Sequence, residues 1–162
     1  LKGRSVDKPV LLLVSGPDMV SQVALDIPAP AGKLMARFWP GPLTLIFPAR
    51  PGLPLGLTGG AGGGVGVRQP RQAVTCRLIA ALGFPVTGTS ANRTGKSAFT
   101  RAEEVVRDFG NEVALVLDDG PCPGGLPSTI VDVAVSPPRL IRAGAVAVSD
   151  ISSIIPDLVV ER

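Results

Sequence analysis

The stretch Pro85-Val86-Thr87-Gly88-Thr89-Ser90-Ala91-Asn92-Arg93-Thr94-Gly95 begins as a short apolar run fit for a buried strand, then breaks into hydroxyl, amide and glycine residues. Open α/β sheets place their ligands at such carboxyl ends, which makes Ser90 and Asn92 candidates. Their short side chains offer donors and acceptors, and Gly88 and Gly95 let the backbone approach a bound group. Taken alone, Ser-Ala-Asn reads first as a turn. Three other strand ends, at Arg68, Ser128 and Arg142, give it weight, and Arg68 is expected at the same rim as Ser90.

Upstream, Val65 to Arg68 is a short strand, and Ala73 to Leu82 is an amphipathic helix with Gly83 as its terminating residue. Further back, Val10 to Val14 reads as a buried strand, followed by a turn and a short helix carrying Met19, Val20 and Val23. A helix over Gly32 to Phe38 presents Leu34, Met35 and Phe38, and stops at Trp39-Pro40-Gly41-Pro42. Trp39 is expected as a packing anchor before the strand Leu43 to Phe47. The Gly- and Pro-rich stretch Pro51 to Gly64 lacks the Lys-Ser/Thr ending of a phosphate-binding loop and reads as a surface loop or flap. Downstream, Thr100 and Glu103 form a capping box for a helix to Phe109. Val113 to Leu117 reads as a strand ending in Asp118-Asp119-Gly120, first of all a turn. Ser128 to Val133 and Arg139 to Arg142 form an antiparallel hairpin with Ser128 and Arg142 near one end, and a helix covers Ser149 to Ile155.

At 162 residues the chain is expected to be one domain, 1–162, large enough for a real core. Hydrophobic residues are 45%, aromatics only 4%, so Val, Leu, Ile and Ala must build that core, as in an α/β sheet buried on both faces. Sixteen Lys and Arg against 13 Asp and Glu leave a charge of +3, which suits anionic small molecules or transient contact with RNA. The absence of His removes His-based triads, imidazole zinc sites and His general bases. Cys76 and Cys122 make no metal-ligand spacing. No apolar run reaches a membrane span and no signal peptide opens the chain, so a soluble cytoplasmic protein is the expectation.

Six segments in order, Lys2-Gly3-Arg4, Phe38 to Thr44, Val65 to Pro70, Thr89 to Gly95, Ser128 to Asp132 and Leu140 to Ala145, resemble the YrdC-like family of L-threonylcarbamoyladenylate synthases. The resemblance implies a twisted mixed α/β sheet with flanking helices around a large, positively charged concave cleft. It implies the reaction of threonine, bicarbonate and ATP to threonylcarbamoyl-AMP and pyrophosphate, the first step toward threonylcarbamoyladenosine in tRNA. By position, Lys2, Arg4, Ser90, Asn92 and Arg142 are implied on the ATP side, and Arg68 and Ser128 on the threonine side. Magnesium is implied with the ATP, and no protein metal ligand or proton acceptor is identified. Implied partners are tRNA or double-stranded RNA and downstream threonylcarbamoyl transferase proteins.

The family usually opens with a strand and a Pro-Thr-x-Thr-Val-Tyr-Gly-Leu segment, so an N-terminal segment is expected to be lacking before Leu1. Where the family often has His, Thr and Ser, this chain has Leu13, Gly64 and Ala98. The competing readings are a related carbamoyl-adenylate-forming activity and a non-catalytic RNA-binding module. Scarce aromatics weigh against the second, because base stacking needs them.

Overall fold

The computed structural model describes residues 9–59 and 63–160. Its strands are β1 (Leu11–Leu13), β2 (Leu43–Pro48), β3 (Gly64–Arg68), β4 (Val86–Gly88), β5 (Thr129–Asp132), β6 (Arg139–Arg142) and β7 (Val159–Val160). They make one seven-stranded sheet in the order β4-β1-β3-β2-β5-β6-β7. It is mixed: β1 is parallel to β3, and β2 is antiparallel to β3 but parallel to β5. Helices α1 (Ala29–Phe38), α2 (Leu55–Thr58), α3 (Ala73–Leu82), α4 (Ala102–Phe109) and α5 (Val148–Ile154), with a 3-10 turn at Pro17–Gln22, surround it.

Side-chain alternation gives the sheet two unlike faces. Leu12, Val14, Leu43, Leu45, Phe47, Val65, Val67 and Val131 point one way into the core, against Val20, the α1 residues Ala31, Leu34 and Met35, and Ile151 of α5. The other face carries Leu11, Leu13, Thr44, Ile46, Gly64, Gly66, Arg68 and Ile130, of which only Thr44 is fully buried. An α/β sheet buried equally on both faces is therefore not what forms. Among the described residues this second face is only partly covered, and in that sense open.

Several elements form as their residues dictate. Trp39 is buried and donates from Nε1 to the Leu43 carbonyl at 2.7 Å, anchoring the turn from α1 into β2. Gly83 ends α3 with φ of 75°, the left-handed conformation glycine adopts without a Cβ clash. Helix α1 starts at Ala29, three residues before Gly32, because a proline is tolerated in a first turn where its missing N–H would be unpaired anyway.

Other expectations are corrected. The run at Pro85 is not a buried strand but an edge one among the described strands: β4 has three residues, β1 alone of those strands beside it, and an exposed Thr87. Val113 to Leu117 forms no strand, since no described strand lies alongside to complete its backbone bonds, and Leu115 and Leu117 are 73% and 57% exposed. With the start of α3 and of α4 this stretch lines a cavity of about 480 Å³. The cap of α4 falls one residue later than expected. Glu104 rather than Glu103 reaches back, accepting from the N–H groups of Thr100 and Arg101 at 3.1 Å. The loop after Pro51 holds the single turn α2, and the tail adds β7 beside β6.

Candidate active site on the open face

Register brings the polar residues of the open face into one row. Leu13 of β1 pairs with Arg68 of β3, and Leu45 of β2 with Val67, so that continuing the register sets Thr44 opposite Arg68. Thr44 pairs in turn with Ile130 of β5, and Ile130 with Arg142 of β6. Arg68, Thr44, Ser128 and Arg142 thus meet at one end of four adjacent strands. The expectation that Ser128 and Arg142 share an end holds closely. Arg142 donates from Nη2 and Nε to the Ser128 carbonyl at 2.8 and 3.1 Å, and from Nη2 to Ser128 Oγ at 3.2 Å.

The turn leading into β2 holds both halves of the row. Arg68 donates from Nε to the Gly41 carbonyl at 3.0 Å, leaving its terminal nitrogens for the open face. Thr129 N–H donates to the Pro42 carbonyl at 3.0 Å, fixing the residue after Ser128. Burial lowers the Arg68 guanidinium from its ordinary value, yet a guanidinium stays charged at any working pH. Among the described residues no carboxylate pairs with Arg68. A half-buried cation left in this way favours an anionic ligand group, and a planar fork suits a carboxylate.

Ser90 and Asn92 approach from elsewhere. β4 runs antiparallel to β1, with Val86 level with Leu13 and Gly88 level with Leu11. Arg68 is level with Leu13, so the chain leaves β4 at the opposite end from Arg68. The shared rim expected for Arg68 and Ser90 is therefore corrected, because the edge strand is reversed relative to β3. The two ends are separated by two strand residues, about 7 Å. A ligand reaching both would lie along the open face. Asn92 shapes its own loop, donating from Nδ2 to the Arg93 and Lys96 carbonyls at 3.0 and 2.6 Å. Arg93 ties that loop to the end of α4 through Glu112 at 2.7 Å and the Phe109 ring at 4.9 Å. Lys2 and Arg4 lie outside the described residues.

Two further residues shape the site and were not singled out in the sequence. Thr44 hydroxyl lies 2.9 Å from Ser128 Oγ, both buried. Its sequence signals are its place at the end of the Phe38 to Thr44 segment and a hydroxyl inside an apolar strand. Gly144 packs so closely behind Ser128 that a Cβ there would lie 2.3 Å from the Pro127 carbonyl oxygen. The departures at Leu13 and Gly64 also have a packing counterpart. A Cβ on Gly64 would sit 2.3 Å from Ile46 Cγ2, and one on Gly88 2.7 Å from Leu13 Cγ. Apolar side chains fill the space instead. Asp118 serves a turn, with Gly120 N–H donating to its Oδ1 at 2.9 Å, and Asp119 accepts from Gln72 Nε2 at the start of α3. Among the described residues no three His, Cys, Asp or Glu side chains converge as a metal site.

A family model, Sua5/YciO/YrdC, described as telomere recombination, matches residues 1–144. A threonylcarbamoyl-AMP synthase of Pyrococcus abyssi is 34% identical over 97% of this chain and 46% of its own length. That of Bacillus subtilis is 34% identical over 99% of this chain and 46% of its own. The crystal structure of P. abyssi Sua5 complexed with L-threonine superposes with a TM-score of 0.90, covering 99% of this chain and 47% of that one. The chain spans about half the length of these relatives.

Proposed function

The chain belongs to the Sua5/YciO/YrdC family, and on that premise we propose that it carries the threonylcarbamoyl-AMP synthase site. Threonine, bicarbonate and ATP would give threonylcarbamoyl-AMP and pyrophosphate. The observation that carries the proposal is the row of Arg68, Thr44, Ser128 and Arg142 on an open sheet face, ending in a half-buried cation that has no carboxylate partner among the described residues. The threonine-bound relative of the same fold supports it.

Arg68 holds the threonine carboxylate through its free terminal nitrogens, and Ser128 contacts the same substrate. The threonine amine adds to the carbon of bicarbonate, water leaves, and a carbamate remains. A carbamate oxygen then attacks the α-phosphorus of ATP, and pyrophosphate departs. Arg142 joins the two halves, since its guanidinium rests on Ser128 while belonging to the nucleotide side. With Lys2 and Arg4 it offsets phosphate charge, and Ser90 and Asn92 meet the nucleotide from the far end of the open face. Such chemistry works by alignment and charge neutralisation and needs no His. Magnesium would enter with ATP and supply positive charge against its phosphates.

The same proposal takes residues 1–162 as one YrdC-like domain with a positively charged cleft, passing its product to a transferase that modifies tRNA. No described helix is long and apolar enough to cross a membrane, and a cytoplasmic location belongs to the proposal. The test is pyrophosphate release from ATP and magnesium. Release that requires both threonine and bicarbonate, and is lost in Arg68→Ala, supports the synthase. Release indifferent to threonine rejects it, and RNA affinity without turnover would favour the binding-module alternative.

A further inference from the structure

Resting on the function just proposed, we propose that Thr44 is a positioning residue that holds the Ser128 hydroxyl in place for the substrate. Thr44 and Ser128 are 3% and 6% exposed, and their hydroxyl oxygens lie 2.9 Å apart, so distance alone lets either donate. Arg142 Nη2 also donates to Ser128 Oγ, at 3.2 Å. Thr44 and Arg142 thus both bond the Ser128 hydroxyl oxygen and hold it in one place.

Held in this way, the Ser128 hydroxyl keeps one orientation toward the bound substrate. Thr44 is stiff enough to do the holding. Its methyl lies over Gly66, where a Cβ would meet it at 3.7 Å, and a β-branched side chain is stiff about χ1. In this proposal Thr44 acts through Ser128 rather than on the substrate.

Thr44→Val keeps the shape and removes the hydroxyl, whereas Thr44→Ser keeps the hydroxyl. In the full protein, Thr44→Val is expected to raise the KM for threonine by about three- to tenfold, the size of one net hydrogen bond, with the KM for ATP unchanged. Thr44→Ser should restore it. In a Ser128→Ala background, Thr44→Val should add nothing, because the two act as one unit. A threonine KM unmoved by valine, an equal rise for both substrates, no rescue by serine, or an additive double variant would each overturn the positioning role. Thermal unfolding checks the valine variant, and where it fails to fold, Thr44→Cys, a weaker donor of similar volume, is read in the same way. A wild-type protein without threonine-dependent turnover overturns the proposed function itself, so the two failures are told apart.

Discussion

Arg68 is held by one nitrogen and offers the others, so its charge and its shape can be separated experimentally. Lysine at this position keeps the charge but loses both the bond to the Gly41 carbonyl and the planar fork. Arg68→Lys is expected to weaken threonine binding by at least about tenfold in calorimetric titration, since charged hydrogen bonds are worth roughly 1.5–3 kcal/mol. Binding equal to wild type would mean that charge alone suffices. Gly144→Ala tests the support behind Ser128. The new methyl would meet the Pro127 and Ser128 backbone at 2.3 and 2.6 Å, and backbone cannot swing aside as a side chain can. Loss of about 1–3 kcal/mol of stability in denaturant titration is expected, together with weakened threonine binding. At this scale Arg68, Ser128 and Arg142 were legible because each is a polar residue where an apolar run ends. Thr44 was not, because threonine is an ordinary strand former and its partner is 84 positions away.

Among the elements, the loop after β4 depends on the Arg93 clasp at the end of α4. A hydrogen bond from Arg93, reinforced by its charge, holds the Glu112 carboxyl below its ordinary value. A depressed carboxylate stabilises the fold above its unfolded pKa, and that contribution fades as pH falls through the lower native value. Glu112→Gln should therefore flatten the acid-side fall of Tm in a calorimetric pH series. An unchanged slope would show that the exposed pair contributes nothing to folding, which surface pairs often do not. The hairpin of β5 and β6 and the extent of α3 were readable from local pattern, because turn length and a terminating glycine act within a few residues. The strand expected at Val113 to Leu117 was not decidable in that way. Its apolar run is real, but a strand exists only where another backbone pairs with it.

Across the whole molecule, the core rests on β2 and β3, the two strands at the middle of the covered face. Leu45 is fully buried there, and Leu45→Ala is expected to cost about 2–5 kcal/mol, read as a lower denaturation midpoint at unchanged slope. A cost below about 1 kcal/mol would mean that this core collapses around the gap. The sequence by itself determined which runs are apolar, where they stop, and the order of motifs that marks the family, since these depend on composition and spacing along the chain. Only the tertiary structure decided that β4 lies reversed at the sheet edge, so that the chain leaves it toward Ser90 at the end opposite Arg68. It also decided that Thr44, Ser128 and Arg142 form one hydrogen-bonded unit. Strand direction and register are settled by long-range pairing and by which face finds a core, and no local stretch of residues carries that information.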